Sequence, residues 1–194
     1  MTEQVPSPAV RVSAARDMLD FVEKFEPGAR AKVLSHFPKA SLEALELAPR
    51  TSWLPVEHDH FVVDGVVAVL GKDRARKCWR DSVPDMVDKP LLRSFVSGMV
   101  RMFGREPARI VGLLPKAWPL VYRDMGTVTL DASTPGDPVL RFSDIPRSVR
   151  AYPNYFVSWE GVCAGLAHIA RVTGDATLVP APDLSSAEVR FRWG

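Results

Sequence analysis

The sequence predicts an α+β domain: a helical N-terminal part packed on a small antiparallel sheet of about four strands, with a long helix between the two hairpins that supply them. Three observations carry this. Apolar residues recur every three or four positions through most of the first 125 residues. The pattern changes at Gly126, where alternating β-branched residues begin. Two strand-like pairs then flank one long segment, 155–172, with a helical apolar face. Strands joined by hairpins are antiparallel, and helices set in front of such a sheet form a two-layer domain.

Residues 1–12 carry Pro6 and Pro8 without periodicity and read as a flexible tail; 13–194 read as one domain. Ser13 caps a helix to about Glu26, with Met18, Leu19, Val22 and Phe25 on one face. Pro27 and Gly28 interrupt it, and a second helix runs to Pro38 on Ala31, Val33, Leu34 and Phe37. A short helical turn starts at Ser41. Residues 49–55 read as a connector carrying Trp53. The run 56–70 is long enough to be a helix despite its valines, with Gly71 as its stop. A charged helix, 72–81, is expected to end by Pro84.

The clearest helix spans 91–103, where Leu91, Leu92, Phe95, Val96, Met99, Val100 and Phe103 share a face. Pro115 and Pro119 make 107–125 a kinked or broken helix, with Trp118 and Tyr122 in the core. Residues 127–142 form a hairpin about the turn STPGDP. A connector leads to the long helix, where Tyr155, Trp159, Val162, Leu166 and Ile169 share a face and Gly174 is the cap. The segments 176–182 and 187–193 close the chain; in the latter Val189, Phe191 and Trp193 alternate with Arg190 and Arg192.

At 194 residues, 46% apolar and 25% charged, the chain can bury a core without disulfides or metals. The formal net charge of +2 is too small to argue for a nucleic-acid partner. Cys78 and Cys163 make no disulfide framework. The opening MTEQVPSPAV has no secretory pattern, and the longest apolar run, 62–71, is broken by Asp64, so no membrane span is expected and the cytoplasm is the expected location.

Candidate chemistry is sparse. Glu57, His58, Asp59 and His60 are the densest group of metal-ligating side chains, but on a helix the two histidines point about 200° apart. A solvated first turn, with His60 paired to Asp64, is the competing reading. Cys78 lies among Arg74, Arg76, Lys77 and Arg80, surroundings that activate a thiol, but the sequence places no base beside it. The same basic run, with Trp79 interleaved, reads first as a solvated helix face and next as a contact for an acidic partner. The stretch 65–72 fails as a phosphate loop: five residues separate Gly65 from Gly71, and Asp73 stands where a Ser or Thr is needed. No GxSxG is present. Gly161 and Gly165 form a GxxxG, which implies close approach by the sheet, a ligand or a second copy. Trp118, Tyr122, Tyr155 and Trp159 read either as core or as the wall of a cavity for an apolar ligand.

Residues 91–126 (LLRSFVSGMVRMFGREPARIVGLLPKAWPLVYRDMG), two short strands, DIP at 144–146, EGVCAGL at 160–166 and VRFRW at 189–193 resemble a group of small paralogous proteins of unknown function expanded in myxobacteria. More distantly the chain resembles the haem-nitric-oxide-binding, vinyl-reductase-like and TRAPP-type α/β superfamily. That resemblance implies a small-molecule sensor or a dimerising scaffold. Haem-binding members carry a proximal histidine and Tyr-x-Ser-x-Arg, and the latter motif is missing here; metal-binding members use several cysteines, and here there are two.

The expectation is therefore a non-catalytic binding module for an apolar or amphipathic small molecule, walled by Trp118, Tyr122, Tyr155 and Trp159, without cofactor, metal or nucleic acid. The alternative is a homodimeric scaffold contacting a second copy or a partner through Gly161, Gly165, Arg74, Arg76 and Lys77. An enzyme ranks behind both, since no convergent acid, base and nucleophile can be named.

Overall fold

The computed structural model describes residues 7–131 and 138–194. A short strand, β1 (Ala9–Arg11), leads directly into α1 (Val12–Phe25). Next come α2 (Ala29–Leu34), α3 (Lys39–Leu47), β2 (Trp53–Pro55), α4 (Val56–Leu70) and α5 (Lys72–Val87). The middle of the chain forms α6 (Pro90–Phe103), α7 (Pro107–Val111), α8 (Leu114–Val121) and β3 (Tyr122–Arg123). The last third forms β4 (Thr127–Asp131), β5 (Val139–Ser143), α9 (Arg147–Arg150), α10 (Asn154–Ala170), β6 (Gly174–Pro180) and β7 (Ala187–Trp193).

The α+β class and the sheet of four antiparallel strands are as expected, in the order β4-β5-β7-β6 with α10 between the two hairpins. Most of the turn expected at STPGDP lies outside the described residues. Leu140 faces Val189 and Ala176 faces Phe191 across the ladders, and this buried face turns toward α10. Gly126 marks the change from helices to sheet: its φ is +99°, and a Cβ there would lie 2.7 Å from the Ser143 carbonyl oxygen.

Several boundaries differ from expectation. Residues 9–12, read as part of a tail, are structured: β1 is the centre of a second, three-stranded sheet, β2-β1-β3, and Ala9 and Val10 are buried. Trp53, read as part of a connector, belongs to β2, with the Arg11 guanidinium 3.7 Å from its ring centre. Ser13 does not cap α1, which begins at Val12 on the backbone of β1. Helix α5 runs through Pro84 to Val87 instead of stopping before it. The C-terminus of α10 is closed by Arg171 in the left-handed region, and Gly174 opens β6. Pro115 and Pro119 do sit in a broken segment, split into α7 and α8.

Helix α10 is the centre of the molecule, covered by the four-stranded sheet on one side and α5 on the other. At Gly161 an added Cβ would lie 2.5 Å from the Arg76 carbonyl oxygen; at Gly165 it would lie 2.6 Å from that of Arg80. Pro84 has no N–H to offer Arg80, and Gly165 packs on that freed carbonyl. Beside this contact Arg76 donates to the Ala176 carbonyl (2.6 Å) and to Asp175 (2.6 Å), while Glu160 accepts from the Leu178 N–H (3.3 Å).

Candidate functional site

Trp118 and Tyr122 leave α8 as it ends, and Tyr155 and Trp159 stand one turn apart on α10. The fold brings all four together around Trp159, which is 1% exposed. Phe142 of β5 stacks on Trp159 at 5.3 Å between ring centres, and Trp118 meets it edge-on at 5.3 Å. Tyr155 lies 5.9 Å from Trp159, and Tyr122 lies 4.1 Å from Trp118. The Trp118 indole donates to the Gly126 carbonyl (3.1 Å), which fixes its ring. The Trp159 indole N–H is buried and points toward the Tyr122 hydroxyl oxygen, its nearest acceptor, at a strained hydrogen-bond geometry.

Two small cavities adjoin this cluster. One, of about 60 Å³, is lined by Leu92, Ala117, Trp118, Trp159 and Cys163; the other, of about 50 Å³, by Met18, Asp59, Val63 and Tyr155. Tyr122, Val121, Met86 and Val162 line both.

The sequence reading missed Asp59 as part of this site. It was grouped with a solvated first turn, yet it is 3% exposed and accepts a hydrogen bond of 2.7 Å from the Tyr155 hydroxyl. Burial pushes its carboxyl up to about 6, against the pull of that hydrogen bond. The signal was available: Asp59 lies three residues after Val56 and three, four and seven before Val62, Val63 and Val66, all buried on one face of α4. Burial also raises the Tyr122 and Tyr155 hydroxyls and the Cys163 thiol, so each stays protonated at neutral pH.

The remaining candidates go elsewhere. His60 bonds Asp64 (2.8 Å) and stacks on Tyr152 at 3.8 Å, while His58 bonds Ser41 (3.0 Å), so the two histidines face different partners. Among the described residues no three metal-ligating side chains converge. Cys78 is fully buried, and burial pushes its thiol up to about 12, the reverse of an activated nucleophile. For Gly161 and Gly165 the sequence left the sheet, a ligand or a second copy open; their face is filled by α5 of the same chain. Arg74 pairs with Glu26 (2.5 Å), and Arg76 is taken up by Asp175, Glu160 and the β6 backbone, so neither is free for an outside partner. Lys77 is exposed and has no ion pair among the described residues. No helix among them is long and apolar enough to cross a membrane.

No family model and no curated protein matches the sequence. Solved structures do. The Fe(II) unliganded H-NOX protein from K. algicida superimposes at TM-score 0.65 and 11% identity, over 95% of this chain and 96% of that one. An H-NOX protein from S. oneidensis in the Fe(II)NO ligation state gives 0.64 and 12%, over 95% and 99%. A T. tengcongensis H-NOX mutant gives 0.62 and 10%, over 94% and 97%. The chain has the H-NOX fold. At this identity the likeness is one of architecture, and it agrees with the distant resemblance in the sequence.

The residues around Trp159 do not fit a haem. A ligand of that size needs a cavity on the scale of about 300–1,000 Å³, several times the space beside Trp159. No histidine lines either cavity, and burial holds the Cys163 thiol and Tyr122 phenol protonated where an axial ligand would be anionic.

Proposed function

We propose that this H-NOX-fold chain is a non-catalytic, sensor-type binding module that holds a small apolar or amphipathic molecule, and no haem, in the paired cavities that meet at Tyr122. The observation carrying the reading is the convergence of Trp118, Tyr122, Tyr155 and Trp159 on two cavities that share a wall. Aromatic walls with few polar groups suit apolar ligands.

The space admits a molecule of a few heavy atoms. A larger one requires the wall to open, and α6, which contributes Leu92, has two buried side chains and four half-buried ones on the core. The S. oneidensis protein carries Fe(II)NO; the present reading keeps a small ligand in this fold and drops the iron. A cytoplasmic location goes with this reading.

Native mass spectrometry of the freshly purified chain, set against its denatured mass, tests it. The expected result is a non-covalent increment lost on denaturation and absent from an Ala117→Leu variant, whose extra carbons fill the cavity. Hemin titration is expected to give no bound haem spectrum. A dimer without an increment, together with unchanged tryptophan fluorescence on exposure to xenon or short-chain alcohols, would overturn the reading in favour of a ligand-free scaffold.

A further inference from the structure

Another depression lies one turn further along α6 from Leu92, on the same apolar face. It is an open groove of about 440 Å³ between the end of α5, the C-terminal half of α6 and the end of α10. Val87, Val96, Val100 and Ile169 supply its aliphatic part. Arg101, Arg105 and Arg171 line it as well, with Asp88 as its one lining carboxylate. His168, also in the lining, lies 3.7 Å from Asp81.

The arginines are not accounted for by the fold. Arg105 donates to the Ile169 carbonyl (2.6 Å) and so closes the end of α10, where a cation suits the helix dipole. Arg101 and Arg171 are exposed and have no carboxylate within 4 Å among the described residues. The exposed Arg93, Arg147 and Arg192 also lack a carboxylate within 4 Å among the described residues, so what sets Arg101 and Arg171 apart is their place beside the aliphatic recess. Two unpaired guanidiniums beside recessed aliphatic surface form a site complementary to a molecule with a negative head and an apolar tail.

We infer that this groove binds a free single-chain amphiphile, with its acyl chain on the valines and its carboxylate or phosphate among Arg101, Arg105 and Arg171. The volume is that of a small-molecule site. The recess has no aromatic anchor and lacks the row of anchors that helix-in-groove docking uses. The groove's own aliphatic groups are recessed, while the protruding apolar pair beside it, Met102 and Phe103, lies outside its lining, so vesicle binding is the competing outcome. Guanidinium forks suit both carboxylate and phosphate heads. The site is separate from the aromatic cavities and stands whether or not they are occupied.

Calorimetric titration of the full chain, with every amphiphile below its micelle concentration, tests the inference. Dodecanoate or dodecyl phosphate is expected to bind saturably at one to one, and the stronger of the two identifies the head. Dodecanol should bind about tenfold more weakly, and Arg101→Gln and Arg171→Gln should each weaken the acid by about tenfold, with melting temperatures unchanged. Val100→Glu should abolish binding; Ala117→Leu, in the aromatic cavity, should leave it intact. Absence of binding, equal affinity for dodecanol, indifference to the arginine substitutions or loss in Ala117→Leu would each overturn the assignment. So would binding to phosphatidylglycerol vesicles, or to an acidic helical peptide, that dodecanoate fails to displace.

Discussion

Helices α6 and α10 have similar lengths and equally legible apolar stripes, but they sit in opposite circumstances. Twelve of the seventeen residues of α10 are buried, against two of fourteen in α6. The tighter of the two carries the glycines at its contact face, and the looser carries the more regular stripe. Periodicity reports that a helix has an apolar face; it does not report how completely that face is covered. Coverage is decided by other elements, here α5 and the four-stranded sheet for α10, and only a lighter contact with α5 and α8 for α6.

Glycine substitutions test the contrast most severely. Gly161→Ala and Gly165→Ala each force a methyl group onto a carbonyl of α5 that cannot retreat alone, and each is expected to lose about 3 kcal/mol. Urea denaturation reads this directly, and a loss below about 1 kcal/mol would mean the helices are not in close approach. Asp59, where α4 meets α10, gives an effect of similar size in pH. Below its ordinary value of 3.8 the carboxyl is neutral in both folded and unfolded chains. Between 3.8 and about 6 the unfolded chain ionises while the buried carboxyl keeps its proton, so folding loses stability across that window and levels off above it. The wild-type curve is expected to fall by about 3 kcal/mol relative to Asp59→Asn from pH 4 to pH 7; parallel curves would place the carboxylate in water.

On α6 the effects shrink. Leu92→Ala is expected to cost about 2 kcal/mol, and Phe95→Ala, half-buried, less than about 1 kcal/mol. Amide exchange should be faster along α6 than along α10. Gly98→Ala, where nothing lies within 4 Å of the added methyl, is expected to gain about 0.5–1 kcal/mol, the sign opposite to that on α10.

What the sequence showed and what it hid follow from the range of the forces involved. Local patterns located every helix longer than ten residues, both hairpins and the four aromatic residues that converge on Trp159. Strands β1 and β2 escaped because each has three residues and exists only through pairing across more than forty positions. Pro84 was read as a stop, although the sequence after it stays helical and the carbonyl it frees is met by Gly165. Asp59 was hidden by its neighbours: Glu57, His58 and His60 made the segment look like a charged first turn, when the valines on its own side placed it indoors. The arginines of α5 looked like an outward surface because their partners, Glu26, Glu160 and Asp175, lie far away in the chain.

The Arg76 and Glu160 contacts with β6 have a consequence beyond the fold of one molecule. A strand at the border of a sheet offers its unused N–H and C=O groups to any extended chain that passes, and such offers are how sheets grow into fibres. On β6 the Ala176 carbonyl is occupied by Arg76 and the Leu178 N–H by Glu160, both anchored on helices that pack against each other. An incoming strand would find two bonding positions on this border already filled, so the ion pair that orders α5 against α10 also caps this edge of the sheet.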